Sequence, residues 1–224
     1  MNLQEKISFT EKIFEEIKGI AEYSRTYIAW TGGKDSTVAL YLWKNFLEQT
    51  GVKSNPGAVN LDTGLKFPEI IRFRDRLARA WSIDLNVIKP AVDISGYPVA
   101  VNTIDCCKDL KIKPLKTAVT SLKAQALITG IRNDEHPDRK SRDYIEQMPD
   151  PDYYQINPIL HWTEMDIWSF IIQKDLPYCS LYDQGYSSLG CMPCTRKSSG
   201  SGERSGRNAQ KEQSLDALRS LGYF

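Results

Sequence analysis

No stretch of this chain is apolar for long enough to cross a bilayer. The first 18 residues are amphipathic and mixed in charge, without the apolar block of a secretory signal. Both absences predict a cytoplasmic protein with no membrane partner. Net charge is nearly absent as well: 29 Lys and Arg against 28 Asp and Glu leave +1. That gives no global argument for nucleic-acid binding, although a local basic surface stays open. An even cysteine framework is missing. Five cysteines, two of them adjacent, argue against a disulfide scaffold and favour metal or redox use in a reducing compartment. No internal repeat is present. What remains is 224 residues, 41% hydrophobic and 25% charged, which suits one sizeable folded domain with a small appendage.

The chain is organised around residues 27–40, Tyr-Ile-Ala-Trp-Thr-Gly-Gly-Lys-Asp-Ser-Thr-Val-Ala-Leu. An apolar run breaks at Gly32 and Gly33 and continues as helix-like sequence. This reads as a strand, a tight turn and a helix start. A turn without β-carbons lets backbone N–H groups approach an anion, and the positive end of the following helix points to the same place. Lys34 adds a mobile cation; Ser36 and Thr37 add hydroxyls. The expected guest is a phosphate or pyrophosphate. The common P-loop is excluded, because Asp35 intervenes between Lys34 and the hydroxyls and the glycine spacing differs.

Alternation of elements predicts an α/β fold: a twisted, mainly parallel sheet with helices on both faces. Strands are expected near 26–30, 57–61, 83–88, 126–129 and 154–159. Helices are expected near 3–22, 36–49, 68–80, 110–123 and 164–174. Two strands end in polar residues, Asp62-Thr63-Gly64 and Gly130-Ile131-Arg132-Asn133-Asp134, where ligands bind in open α/β sheets. The helix at 68–80 carries a basic face of Arg72, Arg74, Arg76 and Arg79, read as solvated. Residues 135–152 are hydrophilic and hold three prolines, so a mobile active-site loop is expected there. Residues 1–196 form the predicted nucleotide-binding domain. Residues 197–224 form a glycine- and serine-rich flexible tail with a short helix near 214–221.

Cys191-Met192-Pro193-Cys194 alone is ambiguous between zinc, an iron–sulfur cluster and a dithiol pair. Adjacent Cys106 and Cys107 splay apart, so a disulfide between them is disfavoured. Two thiolates on one bend and two from the CxxC make a four-thiolate site for zinc or a [4Fe–4S] cube. Cys179 has no partner spacing and reads as an inert thiol.

Thr31-Gly32-Gly33-Lys34-Asp35-Ser36 resembles the signature of the PP-loop ATP pyrophosphatases. Together with Leu61-Asp62-Thr63-Gly64, Cys106-Cys107, Thr129-Gly130-Ile131-Arg132 and Cys191-Met192-Pro193-Cys194, it makes residues 25–196 resemble the adenylyl-sulfate and phosphoadenylyl-sulfate reductases, in their cluster-bearing branch. The tail departs from those enzymes, which carry a catalytic cysteine in a Glu-Cys-Gly-Leu-His string. Here Gly202-Glu203-Arg204-Ser205-Gly206-Arg207 and Gly222-Tyr223-Phe224 resemble the small subunit of sulfate adenylyltransferase. The ATP pyrophosphatases of DNA phosphorothioation, of the Dnd C and Ssp D type, are similar in combining a reductase-like domain with a cluster.

These resemblances imply ATP or adenylyl sulfate as ligand. Thr31, Gly32, Gly33, Lys34, Ser36 and Thr37 would cradle pyrophosphate. Asp35 would orient the loop or bind Mg²⁺. Asp62, Gly64 and Gly130 would border the nucleotide, and Arg132 would neutralise phosphate. Cys106, Cys107, Cys191 and Cys194 would hold the [4Fe–4S] cluster. Implied partners are a cysteine desulfurase or thiol reductant, with DNA as one possible acceptor; a homo-oligomer is left open. Three activities are weighed: adenylylation of an acceptor for sulfur incorporation, reduction of adenylyl sulfate to sulfite with Lys108 near the cluster, and a non-catalytic cluster-bearing nucleotide-binding subunit.

Overall fold

The computed structural model describes residues 1–52, 54–200 and 202–223. Its six strands are β1 (Thr26–Ala29), β2 (Gly57–Leu61), β3 (Asp84–Ile88), β4 (Ala126–Ile128), β5 (Ile145–Pro149) and β6 (Asp152–Ile156). They lie in the order β3-β2-β1-β4-β6-β5. Every pairing is parallel except β5 with β6.

The pleat sends neighbouring residues to opposite faces. Ile28, Trp30, Ala58 and Ile128 point into a core formed with α1 (Leu3–Ile17), α2 (Lys34–Gln49), α3 (Pro68–Ala80) and α6 (Glu164–Gln173). Ala29, Val59 and Leu127 point the other way, onto Leu115, Ala118 and Val119 of α5 (Lys113–Ser121). Both faces of the central strands are therefore covered, which is why they read as continuous apolar runs.

The chain grows outward from β1 to β3 and then returns to β4 on the other side of β1. The gap between the ends of β1 and β4 is thus the switch point of the sheet, where ligands bind in folds of this kind. Gly130 sits in that gap. A Cβ on it would lie 2.6 Å from the Ser36 backbone nitrogen, so only glycine lets the end of β4 abut the start of α2.

Three expectations need correction. The segment 135–152 is not simply a loop, since β5 lies within it. Glu146 and Gln147 make that strand polar, and Pro149, which has no N–H to donate, suits an antiparallel edge. Cys106 and Cys107 lie on a helix rather than a bend: α4 (Thr103–Cys107) runs through a π-turn at Lys108–Ile112 into α5. Pro114 lacks the N–H that an α-helical turn would use, and the wider turn accommodates it. Asn102 caps the start, its side chain accepting from the Ile104 and Asp105 amides at 3.0 and 3.3 Å.

The third correction concerns the tail, expected to be flexible from residue 197. Residues 202–223 pack back onto the domain. Arg207 bridges Thr195, and the Arg196 amide donates to the Gly206 carbonyl at 2.8 Å. Two short helices follow, α7 (Ala209–Gln213) and α8 (Leu215–Ser220). Leu218 of α8 is fully buried against Cys107 and Ile112. The division at 196 therefore runs through packed structure. Among the described residues, no helix is long and apolar enough to cross a membrane.

Candidate nucleotide and thiol sites

Gly32 takes a positive φ of 83°, turning the chain from β1 into α2, and Gly33 caps that helix. Hydroxyls tie the turn internally. The Gly33 amide donates to Thr31 Oγ1 at 3.2 Å, and Ser36 Oγ lies 3.0 Å from that same oxygen. Thr37 Oγ1 donates to the Gly33 carbonyl at 2.8 Å and accepts from Trp30 Nε1 at 3.0 Å. It is buried, so Thr37 shapes the turn rather than facing a guest.

Lys34 and Arg132 meet in front of this turn. Both side chains are fully buried. Asp35 bridges them, with Oδ2 3.3 Å from Lys34 Nζ and Oδ1 accepting from Arg132 Nε at 2.7 Å. Glu203, from the tail, bridges them a second time, one carboxylate oxygen on each cation. Asp134 takes Arg132 Nη1 at 2.7 Å, and Glu164 stands 3.7 Å from Lys34 Nζ. The Lys34 amide donates to Tyr182 Oη at 2.9 Å. Burial opposes the charge on Lys34, but Asp35, Tyr182 and Glu203 outweigh it and hold the ammonium above its ordinary value. Arg132 behaves likewise, through Asp35 and Glu203. Burial and the Asp35 carboxylate push the Glu203 carboxyl up to about 7, against the pull of Lys34 and Arg132.

A cavity of about 120 Å³ opens beside Gly33, Asp35, Ser36 and Gly130, with Arg139 and Arg204 on its wall. Glu135 ties the wall together, pairing with Arg139 and Arg204 and accepting from the Arg132 amide at 3.1 Å. A second cavity of about 120 Å³ is lined by Thr31, Thr63, Lys66, Lys111, Cys191 and Arg207, and Tyr223 lines both. Asp62 and Gly64 line neither. They shape the turn after β2, the Gly64 amide donating to Asp62 Oδ1 at 3.1 Å, and so deliver Thr63 and Lys66 instead.

Cys106, Cys107, Cys191 and Cys194 line one small cavity, together with Lys111 and Lys211. The CxxC loop is held to the chain after β2 by a bridge between Lys66 and Cys191 and by the Met192 amide donating to the Leu65 carbonyl at 2.8 Å. Four thiols on the wall of one cavity, with two lysines at hand, are the donor set of an anionic metal–sulfur group. Burial pushes the Cys106 and Cys194 thiols up. For Cys191, Lys111 and a 3.3 Å contact with Thr63 Oγ1 outweigh burial and bring it down to about 7. Cys179 lies apart, buried in the main core, where burial raises its thiol.

The sequence reading named Lys34, Asp35, Ser36, Arg132 and the four cysteines as candidates; the fold gathers the first four at the start of α2 and the cysteines around one cavity. It missed Glu135, Arg139, Tyr182 and Glu203 as site residues. The one signal for Glu203 and Arg204 was the Gly-Glu-Arg-Ser-Gly-Arg string.

A glycine turn at the switch point of a mainly parallel sheet defines an α/β protein of the PP-loop fold. A family model described as the phosphoadenosine phosphosulfate reductase domain matches residues 25–197, and the chain belongs to that family. It is 33% identical over 163 residues to a phosphoadenosine 5'-phosphosulfate reductase of Gloeobacter violaceus, covering 68% of this chain and 67% of the relative. It is 30% identical over 185 residues to an adenosine 5'-phosphosulfate reductase of Pseudomonas aeruginosa, covering 76% and 66%. The chain thus spans about two thirds of the length of these relatives. A Candida glabrata FMN adenylyltransferase, solved with FAD and inorganic pyrophosphate, shares the fold: TM-score 0.72, 20% identity, 98% of this chain and 83% of that one.

Proposed function

We propose that the chain binds ATP with its pyrophosphate portion on the glycine turn and transfers the adenylyl group to an acceptor, preparing it for sulfur incorporation. The observation that carries this is the pair of fully buried cations, Lys34 and Arg132, at the start of α2. In the reaction an acceptor oxygen attacks the α-phosphorus. The bond to the bridging oxygen breaks, and pyrophosphate leaves with the electron pair. Negative charge grows on the leaving group, so donors already fixed there accelerate the step. Lys34, Arg132 and the N–H group of Gly32 supply them. Ser36 and Thr31 stiffen the turn; Asp35 orients both cations or takes Mg²⁺. A DNA backbone phosphate is one acceptor class, and a cysteine desulfurase one sulfur source.

Cys106, Cys107, Cys191 and Cys194 would hold a [4Fe–4S] cluster, which when bound supplies electron transfer or sulfur relay. Lys111 and Lys211 would offset its negative charge.

A second reading is favoured by the names of the relatives: reduction of adenylyl sulfate to sulfite. It requires a thiol that attacks sulfur. Cys179 is enclosed in the main core, and the other four thiols converge on one cavity, so the nucleophile would come from a partner or a thiol reductant. Incubation with ATP and candidate acceptors, and separately with adenylyl sulfate and thioredoxin, distinguishes the two. Pyrophosphate release supports adenylylation; sulfite release replaces it with reduction.

A further inference from the structure

Glu203 presents two oxygens on one carbon to Lys34 Nζ and Arg132 Nη2, as a phosphate presents two oxygens on one phosphorus. Its side chain is 8% exposed, so solvent screens the contact little. Asp35 bridges the same two cations, but from the first turn of α2, where backbone hydrogen bonds fix it. With Asp134 also on Arg132 and Glu164 3.7 Å from Lys34 Nζ, both cations are already fully engaged by carboxylates. A pyrophosphate entering this arrangement would stand beside two largely screened-off carboxylates, with both cations already paired, a costly state. One carboxylate has to give way. Asp35 cannot do so without disturbing the helix. Glu203 can, because it sits in a turn outside any helix or strand, so its side chain can swing away while its carbonyl stays on the Ser187 hydroxyl.

We propose that Glu203 is an internal anion that occupies the phosphate anchor and is exchanged for the nucleotide's phosphates. The empty site is then the self-occupied, closed state. Ligand binding releases residues 202–204 from the anchor, and the observed affinity is reduced by the population of that closed state. The inference rests on Lys34 and Arg132 being the phosphate anchor, as argued under the proposed function.

The test is calorimetric titration of the full chain with inorganic pyrophosphate, with and without Mg²⁺, comparing wild type with Glu203→Gln. The amide keeps the size of the side chain and removes the competing charge. The expected result is binding at least about tenfold tighter in the variant, since the closed state loses its charge pairing. Equal or weaker binding by a folded variant overturns the proposal; weakening only with Mg²⁺ would make Glu203 a cation ligand instead. If neither protein binds pyrophosphate or ATP, the anchor itself is wrong and both readings fall. Hydrogen exchange on wild type supplies an independent readout should the variant not fold. Amides of residues 202–204 exchange faster on addition of pyrophosphate if Glu203 is displaced, and unchanged or slower exchange contradicts the exchange mechanism.

Discussion

At the scale of single residues, the account turns on side chains that touch the anchor. Arg132 engages Asp35, Asp134 and Glu203 through three different nitrogens. A lysine keeps the charge but loses that fork. Arg132→Lys is expected to weaken ATP binding at least about tenfold with the fold intact, the sum of two lost charge-assisted hydrogen bonds; unchanged affinity by calorimetry would remove Arg132 from the site. Glu135 gives a pH signature. Burial pushes its carboxyl up, but Arg139, Arg204 and Arg132 outweigh burial and bring it down to about 2. A carboxyl lowered on folding stabilises fully above its unfolded value of about 4.3, and that stabilisation is lost as pH falls through the folded value. Melting temperature should therefore drop between about pH 4.5 and 2 more steeply in wild type than in Glu135→Gln; parallel acid profiles would contradict the pairing. Lys34 and Arg132 were legible in the sequence because each adjoins a strand end. Glu135 and Glu203 were not. A carboxylate that pairs across 169 positions, as Glu203 does with Lys34, leaves no local pattern.

At the scale of elements, the join between β4 and α2 sets the geometry of the anchor. Gly130→Ala would drive a Cβ to 2.7 Å from the Ser36 Cα, against backbone that cannot swing aside. The expected cost is about 3 kcal/mol, as for overpacking of a tight core, measured by urea unfolding. Gly96→Ala is the control, because a Cβ there meets nothing within 4 Å; equal costs would refute the close approach. Strong periodicity made α2, α3 and the parallel strands readable, with β2 and α3 predicted to the residue. β5 was missed because an edge strand shows no apolar alternation, and the π-turn at Lys108–Ile112 because helical spacing alone does not reveal a wider turn.

At the scale of the molecule, the tail links the two sites. It delivers Glu203 to the anchor, Lys211 to the thiol cavity and Tyr223 to the walls of both cavities beside the glycine turn. Composition suggested flexibility at 197–213, yet Lys211 is buried and Leu218 packs on the helix that bears Cys107. Contacts with distant parts of the chain anchor this segment, and composition alone does not show them. Protein purified without oxygen should be brown, with broad visible absorption. Cys106→Ser and Cys191→Ser should lose it, and Cys179→Ala should keep it. A colourless protein holding one zinc would replace the cluster with a structural metal.

The central claim is that a glycine turn at the switch point grips an adenine nucleotide through Lys34. Calorimetric titration of ATP into wild type and Lys34→Ala tests it most directly. The account predicts one site in wild type, weakened at least about 100-fold in a variant that still folds, the loss typical of removing one partner from a buried charge pair. Undiminished binding in the variant, or no binding of ATP by wild type, would contradict it.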